Sequence, residues 1–83
     1  MKIIYFAWLR EYVGCGEEHI TLPAGVSTVA LLIDWLSTRG PRFEKAFEFI
    51  ETSKVVINQT CVQNDDVVND DDEVMFIPPI AGG

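Results

Sequence analysis

The residues with the clearest chemical meaning stand at the end of the 83-residue chain: Phe76-Ile77-Pro78-Pro79-Ile80-Ala81-Gly82-Gly83. Two terminal glycines usually mark a segment with little order. Here they follow Pro-Pro, a stiff spacer, and the spacer follows directly on a predicted strand. That layout projects a thin, flexible tip from a folded body. Glycine has no Cβ, so its backbone can enter a channel too narrow for other residues. A terminal carboxylate is a poor acyl donor until it is activated. Adenylation gives it a good leaving group, and sulfide can then displace AMP. By spacing alone the tip fits such a carrier or a modifier joined to protein lysines. A plain binding module would need no diglycine.

Other candidates carry less. His19 is the single histidine, so a His-based triad or metal cluster has no support. Cys15 lies between Gly14 and Gly16, with no Lys, Arg or His beside it to lower its pKa. Cys61 reads as a small hydrophobe at a strand or partner surface. Two cysteines suit neither a disulfide framework nor an iron–sulfur cluster, and they are read as cytosolic thiols. Asp70-Asp71-Asp72-Glu73 lacks the spaced ligands and central glycine of a calcium loop, so it reads as a solvated turn. The expectation is therefore no metal and no bound cofactor.

The body must position the tip. A chain of this length suits one domain, and 48% hydrophobic content excludes disorder. We expect residues 1–77 as body and 78–83 as tail. Thirteen acidic residues against six basic ones give a net charge of −7. Binding to nucleic acid, which needs phosphates neutralised, is not expected. Nor is binding to an anionic membrane. A protein partner with a basic surface fits better. No signal-peptide layout opens the chain, and no apolar run approaches the roughly 20 residues of a membrane span. The protein is read as soluble and cytoplasmic.

Lys2 to Trp8 is β-branched and aromatic, a strand. Leu9 to Val13 is a helical turn broken by Gly14-Cys15-Gly16. Glu17 to Leu22 forms a second strand in a hairpin with the first. Ser27 or Thr28 can cap a helix whose face is Val29, Leu32, Ile33 and Leu36. Gly40 fits that helix's C′ position, with Pro41 forbidding continuation. Phe43, Ala46, Phe47 and Ile50 predict a second, shorter helix. Lys54 to Asn58 is a third strand, and Thr60 to Gln63 a short extended piece. Asn64-Asp65-Asp66 and Asn69 to Asp72 are turns. Glu73 to Ile77 is the last strand, ended by Pro78-Pro79. The order predicts a mixed sheet with helices on one face.

Strand parity adds a functional expectation. Ile3 and Tyr5 share one face of the first strand, and Lys2, Ile4 and Phe6 the other. In the last strand Val74 and Phe76 oppose Glu73, Met75 and Ile77. The helices can cover one face only. Ile4, Phe6, Met75 and Ile77 are therefore expected on the uncovered face, as an apolar patch for a protein partner.

Taken together, Phe6-Ala7-Trp8-Leu9-Arg10-Glu11, Val56-Ile57-Asn58-Gln59 and the segment from Asp72 to Gly83 resemble the small subunits of molybdopterin synthase. These are ubiquitin-like sulfur carriers of molybdenum-cofactor biosynthesis. The resemblance covers nearly the whole chain and implies an α+β, β-grasp fold. It implies that Gly83 is adenylated by an ATP-using activating enzyme and converted to a thiocarboxylate. That group then donates sulfur to cyclic pyranopterin monophosphate. Ile80, Ala81 and Gly82 would be the inserted stem, and Phe6, Cys61, Met75 and Ile77 the partner interface. The catalytic groups of this sulfurtransferase would lie on the large subunit, and two small subunits would flank a large-subunit dimer. A ubiquitin-like modifier and a thiamine-pathway carrier are the alternatives. Asp71 stands where the family commonly has Gly, in a turn where Asp can adopt left-handed backbone. Cys61 stands where the family often has a larger aliphatic.

Overall fold

The computed structural model describes residues 1–79. Five strands form one mixed sheet: β1 (Lys2–Tyr5), β2 (Glu17–His19), β3 (Lys54–Ile57), β4 (Thr60–Val62) and β5 (Glu73–Ile77). Their spatial order is β2-β1-β5-β3-β4. The first and last strands pair in parallel at the centre, and the other pairings are antiparallel. Three helices, α1 (Ala7–Val13), α2 (Val29–Ser37) and α3 (Pro41–Ala46), pack on one face.

Alternation builds the core. Ile3 and Tyr5 of β1, Val55 and Ile57 of β3, and Val74 and Phe76 of β5 all point to the helix side and are buried. They meet Leu9 and Val13 of α1, Val29, Leu32 and Leu36 of α2, Ala46 of α3 and Phe47 just after it. Three rings form the centre. Tyr5 stacks on Phe76 at 6.0 Å, and Phe47 meets Phe76 edge-on at 5.2 Å. Both arrangements suit the ring quadrupoles.

The strands are shorter than expected. The first ends at Tyr5, and Trp8 belongs to α1. Extended Phe6 precedes that helix, and Ala7 at φ 50° turns the chain into it. Gly14, at φ 94°, closes it by donating its N–H to the Arg10 carbonyl. The second strand stops at His19 and does not reach Leu22. Ile20 still donates to the Met1 carbonyl, but there the first strand's partner groups run out.

Two helix boundaries also differ. Gly40 is the residue before α3, at φ 143°, and Pro41 opens that helix. The C-cap of α2 is Thr38, so Gly40 is not its C′ residue. The second helix lies over Pro41–Ala46, earlier than Phe43 to Ile50, and Ile50 starts a 3-10 turn through Thr52. The N-terminus of α2 is as expected at Thr28, whose Oγ1 accepts from the Leu31 N–H at 3.3 Å. The carbonyls of Asp66 and Asn64 accept from Val29 and Ala30. These bonds supply helix N–H groups that would otherwise lack partners.

Candidate functional site

The third strand ends at Ile57, one residue before Asn58. Asn58 (φ 49°) and Gln59 (φ 72°) then form a two-residue hairpin turn to β4. The Asn58 side chain supports this backbone. Its Nδ2 donates to Asp72 Oδ1 at 2.9 Å, and its Oδ1 accepts from the Glu73 N–H at 3.0 Å. Asp72, buried, also accepts from the Asn69 N–H. The acidic run is thus a structural turn that sets where β5 begins. Asp71 is not among the residues at positive φ, so the turn closes without the left-handed backbone expected there.

That hairpin and the central strands lay out one continuous row on the face away from the helices. Ile4 pairs with Met75, Met75 with Val56, and Val56 with Cys61. At the usual strand spacing the row spans about 14 Å. Ile4, Met75 and Val56 are half-buried and Cys61 is exposed. The next row toward the end of β5 holds Ile77, paired with Lys54, while Phe6, 39% exposed, donates its N–H to the Phe76 carbonyl. The structure therefore brings Phe6, Cys61, Met75 and Ile77 to one face, with Ile4. It adds Val56, which sequence reasoning missed. Val55-Val56-Ile57 is a continuous apolar run, and its parity against Met75 was the available signal.

On the opposite row Lys2 bridges Glu17 and Glu73, at 3.6 and 3.7 Å. These charges border the apolar row, and the single lysine offsets one of the two carboxylates. On the helix side Tyr5 Oη donates to Glu18 at 2.7 Å, and Glu18 pairs with Arg39 at 2.9 Å. Burial first, and then Glu18, push the Tyr5 hydroxyl far above its ordinary pKa. Arg39 also lies over the Trp35 and Phe43 rings. The tyrosine is thus a neutral structural donor. His19 is exposed on β2, and Cys15 packs half-buried against the core.

The chain leaves β5 at Ile77. Pro78 is buried and Pro79 exposed. Gly83, Gly82, Ala81 and Ile80, the expected reacting residue and its stem, lie outside the described residues.

The body is a ubiquitin-like β-grasp domain, with an open apolar sheet face beside the strand that leads to the C-terminus. A family model, the ThiS family, matches residues 3–83. The Escherichia coli (strain K12) molybdopterin synthase sulfur carrier subunit is 34% identical, over 100% of this chain and 99% of that protein. The Dictyostelium discoideum protein of the same name is 34% identical, covering 99% and 94%. Among solved structures, SAMP1 from Haloferax volcanii superposes with a TM-score of 0.79 at 25% identity, covering 100% and 98%. The chain belongs to the ThiS family. Among the described residues no helix is long and apolar enough to cross a membrane.

Proposed function

We propose that this protein is the sulfur carrier subunit of a molybdopterin synthase. The observation that carries the reading is its end-to-end similarity to proteins of that name, 34% identical over the whole chain in one case. The Gly83 carboxylate attacks the α-phosphorus of ATP on an activating enzyme, releasing pyrophosphate and forming an acyl-adenylate. Sulfide displaces AMP and leaves a thiocarboxylate. The thiocarboxylate sulfur then attacks cyclic pyranopterin monophosphate in the large subunit, and hydrolysis returns the carboxylate. Gly83 is a consumed and recharged co-substrate, and the groups that catalyse transfer lie on the large subunit. The open sheet face supports this reading, because it offers apolar docking area beside the strand that leads to the tail.

Intact mass spectrometry of protein purified from cells tests the charged state. A species about 16 Da heavier, sulfur for oxygen at the last residue, is expected. Deleting Gly83 should abolish molybdopterin synthesis in a reconstituted assay while leaving the thermal midpoint unchanged. Undiminished synthesis by the truncated chain would refute the carrier role. An isopeptide bond from Gly83 to a protein lysine, with no thiocarboxylate, would turn the reading to a modifier.

A further inference from the structure

The six basic residues divide by position. Lys2, Arg39 and Lys45 enter ion pairs within the chain. Arg42 lies on the helix side, over the C-terminal end of α1, where a Cβ on Gly14 would come within 2.6 Å of its Nη1. Arg10 and Lys54 remain. Neither enters an ion pair among the described residues. Both border the open face near the point where the chain leaves β5.

Lys54 is exposed and pairs in register with Ile77, so its side chain starts on the same face. Arg10 reaches that face from α1. Its side chain runs along Gly16, where a Cβ would lie 3.2 Å from Nε. It then borders an open depression of about 400 Å³ with Ile4, Phe6 and Glu17. An apolar centre of Phe6 and Ile77 is thus flanked by one cation on the β1 side and another on the β3 side. The chain as a whole carries −7. Its long-range field favours a basic partner, yet two cations without an ion pair among the described residues stand at the border nearest the end of β5, Arg10 with Glu17 in the same depression and Lys54 beside a cavity that Asp34 and Glu51 also line.

The geometry points to Arg10 and Lys54 as the two charged corners of the docking face, met by carboxylates on the protein that receives the tail. This rests on the carrier reading and specifies the partner's chemistry: an apolar socket with acidic groups around the mouth of its pocket. The overall acidic field brings the two proteins together. The two cations set the orientation in which the tail meets the pocket, because a wrong register leaves them opposite the wrong charge.

The test is titration of the large synthase subunit with the full chain and four variants. Arg10→Glu and Lys54→Glu should each weaken binding about three- to tenfold at low salt. The loss should shrink as ionic strength rises. Arg42→Glu makes the same change in net charge away from the open face, and should alter affinity less than about twofold. Circular dichroism confirms that each variant folds. If Arg10→Glu and Lys54→Glu bind no more weakly than Arg42→Glu, while Ile77→Asp binds poorly, the charged corners are overturned and the docking face stands. Should Ile77→Asp also keep full affinity, the docking face itself falls, and this proposal with it.

Discussion

The two faces of the sheet are built from alternate residues of the same strands, yet they meet different surroundings. Ile3 and Val74 pair side by side and are fully buried under the helices. Their sequence neighbours Ile4 and Met75 pair just as closely on the other face and stay half-exposed. The inner face is completed by the chain itself, through Phe47, Leu32 and Leu9. The outer face carries apolar groups that no helix among the described residues covers. Water contact there forgoes part of the stabilisation that burial of the same side chains would supply. The difference separates two duties. Inner-face residues hold the fold, and on the proposed reading outer-face residues hold surface in reserve for a partner. Substitutions on the two faces should therefore register in different measurements.

The largest effect belongs to the inner face. Phe76→Ala removes a ring that packs against both Tyr5 and Phe47. It should cost about 3–5 kcal/mol of unfolding free energy, through lost transfer energy and the cavity left behind. Urea denaturation measures this, and an unchanged midpoint would show that the aromatic centre does not hold the fold. The next effect belongs to the outer face. Ile77→Asp places a carboxylate in the proposed contact, where desolvating it should cost about 2–4 kcal/mol of affinity for the large subunit, roughly thirtyfold or more. Its unfolding free energy should change by about 1 kcal/mol or less, because the site is only partly buried. Phe6→Asp should act the same way. Were Ile77→Asp to unfold the protein as readily as Phe76→Ala, the separation of duties between the faces would be lost.

Much of this division was legible in the residue pattern. Parity in Lys2 to Phe6 and in Glu73 to Ile77 assigned the inner and outer residues, because both strands alternate cleanly enough. The third strand hid its outward residue, Val56, inside three consecutive apolar positions. The Asn58-Gln59 turn was also hidden. Two-residue hairpins usually advertise themselves with glycine, whereas here the Asn58 side chain holds the turn through Asp72 and Glu73, fourteen and fifteen residues away. Gly40-Pro41 misled for a local reason, since a glycine and proline between two helices can end the first or begin the second. The site was legible only in part. The tail's expected chemistry falls on residues outside those described, while the width of the open face required the register of four strands.

The smallest expected effect lies at the far end of the central strands, in a contact that belongs to the fold alone. Asp70 Oδ1 accepts from the Leu22 N–H at 2.7 Å and lies 3.6 Å from the Met1 ammonium. The backbone bond first, and then the ammonium, hold its carboxyl below the ordinary aspartate range. A group with a depressed folded pKa stabilises the native state above its unfolded value, and the contribution is lost as pH falls through the folded value. Stability from Asp70 is therefore present at neutral pH and is lost progressively in acid, starting below about pH 4. Asp70→Asn keeps an oxygen for Leu22 but removes the charge. Its thermal midpoint should lie slightly below that of the parent at pH 7, and the gap should narrow as the pH falls below about 4. Added salt should narrow the neutral-pH gap, because the Asp70 side chain is 63% exposed and its attraction to the ammonium is screened. Affinity for the large subunit should not change, because this contact is at the end of β1 opposite Phe6. A gap that widens in acid would assign the contact the wrong sign, and a loss of affinity would show that the docking face extends past Lys2.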